Sequence, residues 1–191
     1  MPSNKIIFVV GMTGSGKSIV SDELVKKGFA FVRFGQITLD EVKKRGLEVN
    51  ETNERAVREG LRKEYGMGAF ATLNIPRFDE FLKKSNVVGD GLYSWTEYKI
   101  LKEKYGDLMN VLAVYAPPEL RYERLENRAV ANDPNSRFRS TPKADSKKRD
   151  YAEIENIEKG GPIAMADFTI INTGTVDDAK LQLEKFLSTL G

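Results

Sequence analysis

An α/β fold, with a parallel sheet covered by helices on both faces, is what this sequence predicts, and three observations predict it. Five short apolar runs rich in β-branched residues, at 5–10, 29–34, 86–91, 109–115 and 166–172, alternate with stretches of helical periodicity, which is the pattern of βαβ units. The first run leads into Gly11-Met12-Thr13-Gly14-Ser15-Gly16-Lys17-Ser18, which fits G-x-x-x-x-G-K-[ST]. A helical stretch follows at once, so strand, glycine loop and helix stand in the order that this motif requires. In such a sheet the crossovers are expected to be right-handed and the ligand to sit at the carboxyl ends of the strands.

The residue types of the loop follow from phosphate binding. Glycines at 11, 14 and 16 let the backbone curl with no Cβ in the way, so that the amides form an anion-binding nest. Lys17 supplies a point charge for the β- and γ-phosphates of a nucleotide, and the Ser18 hydroxyl is placed to ligate Mg²⁺. The helix that starts here turns the positive end of its dipole to the same phosphates. Ile19, Val20, Leu24 and Val25 carry its apolar spacing to Lys27, and Gly28 is its C-cap.

The run 29–34 is the second strand, closed by Gly35. Thr38 with Glu41 has capping-box spacing for the next helix, and Gly46 stops it. A polar helix over 50–65 carries Ala56, Val57, Leu61 and Tyr65 as a thin apolar stripe. A further helical stretch over 68–84 is expected to break or restart at Pro76. The third strand, 86–91, ends in Asp90-Gly91. That dipeptide is either a plain turn or, at the carboxyl end of a buried strand after a phosphate loop, a ligand of Mg²⁺ or of the acceptor. A helix over 95–105 closes at Gly106, the fourth strand covers 109–115, and Pro117-Pro118 ends it. The helix from Glu119 carries Leu120, Tyr122 and Leu125 on one side and Arg121, Arg124 and Arg128 on another. A long polar segment, 132–150, is expected to be flexible, and 151–159 helical. The fifth strand precedes an amphipathic helix capped by Thr175 or Asp177, with Ala179, Leu183, Phe186, Leu187 and Leu190 as its stripe.

The chain has 191 residues, a net charge of +2, and neither cysteine nor histidine. Disulfides, thiol nucleophiles, histidine bases, Ser-His-Asp triads and thiolate or histidine zinc sites are excluded. Carboxylates, Lys, Arg, hydroxyls and backbone amides remain, and phosphoryl transfer runs on those. From Arg121 to Arg149 nine Lys/Arg face four Asp/Glu, a concentration of charge suited to closing over polyphosphate. Phe138 is the lone aromatic interleaved with the bases from 132 to 150, and the total charge is near neutral, so a nucleic-acid partner is not expected. No apolar run reaches membrane-span length and no signal-peptide pattern opens the chain, so neither a membrane partner nor an address outside the cytoplasm is expected.

These motifs together resemble the P-loop kinases of the nucleoside monophosphate kinase superfamily, and most nearly the dephospho-CoA kinase-like branch and its archaeal-type relatives. The resemblance rests on G-M-T-G-S-G-K-S at 11–18, L-R-K-E-Y-G at 61–66, V-V-G-D-G at 87–91, E-R-L-E-N-R at 123–128 and A-D-F-T-I-I-N-T-G-T at 166–175. It implies one three-layer kinase domain with sheet order 2-3-1-4-5, a core of 1–37, 85–131 and 160–191, a helical acceptor-binding region over 38–84, and a mobile lid over 132–159. ATP and Mg²⁺ are the implied cofactors, a small nucleotide-like molecule the implied acceptor, and a monomer or homodimer the implied assembly. Residues 11–18 would hold ATP, with Arg124 against its adenine or ribose and the backbone from Asn172 to Gly174 bordering the adenine. Lys17, Asp90, Arg128 and Arg137 would form the catalytic set, with Ser18 and Asp90 on the metal. Arg33, Gln36, Arg62 and Asp90 would meet the acceptor.

The chain departs from that pattern at Gln36, where relatives commonly carry an aspartate. Glutamine is no base. A phosphate acceptor, already ionised, needs none, whereas a sugar hydroxyl would have to call on Asp40 or Asp90. Two activities are therefore expected candidates: phosphoryl transfer from ATP to a nucleoside monophosphate or dephospho-CoA type acceptor, and an ATP-binding regulatory module or weak NTPase with no ordinary acceptor.

Overall fold

Five parallel strands form one sheet in the order β2-β3-β1-β4-β5, in a computed structural model that describes residues 4–128 and 140–190. The central strand β1 (Ile6–Val10) is buried along its whole length. Ile6, Phe8 and Val10 point into one apolar cluster while Ile7 and Val9 point into another. A strand covered on both faces needs a continuous apolar run, which is why residues 6–10 do not alternate. Beside β1 lie β3 (Val87–Asp90) and β4 (Met109–Tyr115); β2 (Ala30–Arg33) and β5 (Phe168–Ile171) form the edges.

On one face, α1 (Lys17–Lys26) and α9 (Val176–Leu187) close the smaller cluster with Val20, Leu24, Ala179, Leu183 and Phe186. Thr175 caps α9 in a reciprocal box with Asp178. On the other face lie α2 (Gln36–Lys44), α3 (Glu51–Tyr65), α4 (Ala69–Leu82) and α5 (Trp95–Tyr105). Phe8, Phe34, Phe78 and Tyr105 meet there edge-on or tilted, at centroid distances of 5.2 to 6.2 Å, a packing worth about 0.5–1.5 kcal/mol per pair beyond area burial. Ser94 and Glu97 form the capping box of α5.

Several expectations are corrected. Gly35 rather than Thr38 stands before the first turn of α2, and Thr38 lies buried inside the helix. Only Phe34 and Gly35 separate β2 from α2, so the helix begins before Thr38 can cap it. Pro76 does not interrupt α4, which runs through it. The tertiary packing of Phe70, Ala71, Asn74 and Phe78 outweighs a helix-interior proline, which costs about 3 kcal/mol. On α3 only Val57 and Leu61 of the expected stripe are buried; Tyr65 is exposed. The helix α6 (Pro118–Glu126) begins one residue early, at a proline in its first turn. Residues 143–150, expected to be flexible, belong instead to α7 (Lys143–Ile157), which packs on α6. A short helix α8 (Gly160–Ala164) follows between α7 and β5. Arg137 lies outside the described residues.

Candidate active site

The phosphate loop joins β1 to α1 beneath the carboxyl ends of the central strands. Its glycines at 11 and 16 are required by space as well as by conformation. Gly11 has φ +143° and a Cβ there would stand 2.3 Å from the Val114 carbonyl; at Gly16, with φ +99°, it would stand 2.1 Å from the Asn172 amide nitrogen. The loop is held from below by two side chains. Asn172 Nδ2 donates to the Ser15 carbonyl at 2.8 Å, and Arg121 Nη1 donates to the Thr13 carbonyl at 2.9 Å. The Asn172 side chain is thus a strut of the loop, while the backbone that follows it runs to Gly174 at the start of α9.

Lys17 folds back over the loop, its Nζ donating to the Gly11 and Met12 carbonyls at 2.9 and 3.1 Å. Withdrawal of that ammonium from water, and then the positive charge of Lys159, push its pKa down to about 7. Ser18 follows on α1. Asp90 ends β3, paired in register with Val9 of β1 and Arg33 of β2. Burial pushes the Asp90 carboxyl up, against the pull of Lys17, Arg33 and Lys159. Asp90 thus lies within electrostatic reach of both Lys17 and Arg33.

The far wall was not expected from the sequence. Lys159, between α7 and α8, is 2% exposed. Its Nζ pairs with Glu153 Oε2 and sits 4.6 Å over the Tyr93 ring. The same Glu153 oxygen accepts from the Thr13 hydroxyl at 3.4 Å, and Oε1 accepts from Arg149 Nε at 2.8 Å. Burial opposes ionisation of Glu153, but Lys159 and Arg149 outweigh it and hold the carboxyl below its ordinary range. Arg121, expected on a charged face with Arg124 and Arg128, is instead buried against Asp150 of α7. Arg124 keeps one guanidinium nitrogen, Nη1, buried without a hydrogen-bond partner among the described residues. Burial and the neighbouring Arg149 charge push the Arg128 pKa down.

Beside β2 and α2 a cleft of about 630 Å³ is lined by Phe31, Val32, Arg33, Gln36, Arg77, Glu80 and Phe81. Gln36 Nε2 donates to Asp40 Oδ1 at 2.8 Å, and Arg77 donates to the other oxygen at 2.6 Å. Burial of Asp40 is outweighed by these two donors, which hold its carboxyl below the ordinary range. Arg62 lies apart from this cleft, its guanidinium 5.3 Å over the Phe70 ring and its Nε buried without a partner among the described residues. Arg77, Tyr93, Arg149, Glu153 and Lys159 carry no motif; their sequence distance from the loop hides them. Among the described residues no cluster of three or more acidic groups could cage a metal. The donor chemistry of Ser18 on α1 and Asp90 at the end of β3, a hydroxyl and a carboxylate, is of the oxygen type that Mg²⁺ takes together with water and substrate phosphates.

Sheet order, loop and helix layers define a P-loop kinase-like protein. Solved structures with this fold include TT1252 from Thermus thermophilus, with a TM-score of 0.66 and 18% identity over 100% of both chains. Shikimate kinase from Acinetobacter baumannii, in complex with shikimate, has a TM-score of 0.55 and 21% identity over 97% of this chain and 94% of its own. The family profile described as AAA domain matches residues 7–158. A UPF0200 protein of Thermococcus kodakarensis is 35% identical over 187 residues, covering 97% of each chain. The chain belongs to the AAA domain family and to the UPF0200 proteins. Among the described residues no helix is long and apolar enough to cross a membrane.

Proposed function

We propose that the protein is an ATP- and Mg²⁺-dependent kinase that transfers the γ-phosphoryl group to a small, anionic, nucleotide-like acceptor, of the nucleoside monophosphate or dephospho-CoA type. The observation that carries this reading is the convergence of Lys17, Asp90 and Arg33 at the carboxyl ends of neighbouring strands above the glycine loop. The acceptor oxygen attacks the γ-phosphorus, the bond to the bridging oxygen breaks, and ADP leaves. The loop amides and Lys17 hold the phosphates, and the arrival of phosphate charge raises the low pKa of Lys17. Ser18 and Asp90 would hold Mg²⁺, which when bound neutralises phosphate oxygens. Arg124, with its unpartnered nitrogen, suits the nucleoside, and Arg128 suits the phosphates; the same role is proposed for Arg137.

The acceptor would enter through the cleft beside β2, where Arg33 and Arg77 offer cations and Phe31 and Phe81 offer apolar faces. Arg62, in the 38–84 region but outside this cleft, keeps its proposed role only if a second anionic group of the acceptor reaches it. Asp40 is a poor base, because Gln36 and Arg77 hold it ionised. That favours an acceptor whose oxygen is already ionised, with Asp90 the remaining carboxylate for a hydroxyl.

The test is a coupled-assay screen of nucleoside monophosphates, dephospho-CoA and nucleosides with Mg–ATP. One acceptor is expected to turn over above about 1 s⁻¹. Lys17→Ala is expected to lower that rate by about 10²–10³ or more while the fold persists, because it removes a charge partner of the transition state. ATP binding with only trace hydrolysis across the panel would sink the kinase reading in favour of a nucleotide-binding regulatory module.

A further inference from the structure

A buried lysine needs a reason, because burying an ammonium costs free energy unless it is paired. Lys159 is aimed by two devices. Glu158, just before it, has φ +54° and ψ +39°, the one non-glycine residue with positive φ among the described residues. Side chains resist that left-handed conformation, and such outliers gather where a neighbour must be positioned. The reversal ends α7, and the N–H groups of Glu158 and Lys159 both donate to the Glu153 carbonyl. The Glu153 carboxylate then takes Lys159 Nζ. One residue thus holds the backbone and the ammonium of Lys159. Beyond it, α8 is pressed so closely on α5 that a Cβ at Gly161 would stand 2.9 Å from the Trp95 ring.

The direction of the aim matters. The Glu153 oxygen that holds Lys159 also accepts from Thr13 of the phosphate loop, so the ammonium is one carboxylate oxygen away from the loop that holds the nucleotide. Tyr93, under Nζ, follows Asp90 by one turn of chain. A purely structural ion pair would gain nothing from this position between the loop and the end of β3.

We propose that Lys159 is a second phosphate-binding lysine, which contacts the terminal phosphate of a bound nucleoside triphosphate opposite Lys17, and that Glu153 is the positioning residue that aims it. The inference rests on the kinase reading above and adds a named contact to it. The terminal phosphate replaces part of the Glu153 contact, so the ammonium exchanges one anion for another without leaving its seat.

The experiment is calorimetric titration of the full chain with Mg–ADP and with the non-hydrolysable β,γ-imido analogue of Mg–ATP, on wild type, Lys159→Met and Lys159→Arg. Lys159→Met is expected to weaken the analogue by about 10- to 100-fold, the worth of a charged hydrogen bond, and to leave ADP within about threefold. Lys159→Arg is expected to recover most of the loss, because it restores the charge. Equal weakening of ADP and analogue would show a structural role and overturn the inference, as would an unchanged affinity for both. Thermal unfolding shows whether Lys159→Met folds; if it does not, failure of the folded Lys159→Arg to distinguish analogue from ADP as wild type does overturns the inference. A wild type that binds neither nucleotide would defeat the kinase reading itself, a result distinct from loss of the Lys159 contact alone.

Discussion

Helix α7 carries two acidic residues one turn apart, each paired with a buried cation, and the two pairs are built differently. Asp150 is closed. Its carboxylate accepts two hydrogen bonds from Arg121 and one from Tyr122, and Arg121 spends its remaining contacts on the Ala116 and Thr13 carbonyls. Glu153 is shared. It divides one carboxylate among Thr13, Arg149 and Lys159, and keeps twice the side-chain exposure, 15% against 7%. A planar guanidinium with several fixed donors suits a permanent joint, while an ammonium is a point charge that changes partners readily. Both pairs tie α7 to the loop, the first through Arg121 to the Thr13 carbonyl and the second through Glu153 to the Thr13 hydroxyl.

The comparison breaks or holds on stability. Asp150→Ala strands the buried Arg121 guanidinium and removes the acceptor of the Tyr122 hydroxyl. The expected cost is about 3–5 kcal/mol, as for other broken buried pairs, read from the urea unfolding midpoint. Glu153→Ala is expected to cost less, about 1–3 kcal/mol, and to depend on pH. Burial already pushes Lys159 below the usual lysine range, with Arg149 adding to it and Glu153 and Asp150 opposing. Lys17, Asp90 and Tyr93 complete the charged and titratable surroundings. Without Glu153 the folded pKa of Lys159 falls further, while the unfolded chain keeps its ordinary value. The unfolded state then binds more protons between the two values, so stability rises with pH across that window. The loss in Glu153→Ala should therefore be larger at pH 6 than at pH 9. Equal, pH-independent losses in the two variants would erase the distinction between a fixed joint and a shared one.

Legibility followed the range of the interaction. The glycine loop could be read because its chemistry is local: eight consecutive residues carry backbone conformation, lysine and hydroxyl. The strands could be read because burial on both faces leaves a continuous apolar signature, as in residues 6–10. The Asp90 position stood out because it ends such a strand. Arg121 was misread because periodicity places it on a charged face with Arg124 and Arg128, and its partner Asp150 lies in a different helix. Thr38 and Pro76 were misread because local cap and breaker rules lost to the packing of α2 and α4. Lys159 left no trace, since the residue that aims it, Glu158, is a conformational outlier that its type does not announce. The cleft beside β2 has the same character: Gln36, Asp40 and Arg77 meet only in the fold.

The smallest expected effect tests the aim of Lys159 most directly. Glu158→Gly removes a side chain that resists φ +54° and leaves every named contact of Glu153 and Lys159 in place. A left-handed residue other than glycine costs roughly 1–2 kcal/mol, partly offset by the greater freedom of glycine in the unfolded chain. The net expectation is a gain of about 1 kcal/mol, a rise of roughly 2–4 °C in Tm for a chain of this size, measured by scanning calorimetry. If the turn is held by the two N–H bonds to the Glu153 carbonyl, glycine will keep the reversal and the stability gain will appear alone. If instead the stiffness of Glu158 is what fixes Lys159, the more flexible turn will cost the protein part of its preference for the ATP analogue over ADP even as Tm rises. A fall in Tm would mean that the Glu158 side chain itself holds the junction, and that the strain is not stored for the sake of Lys159.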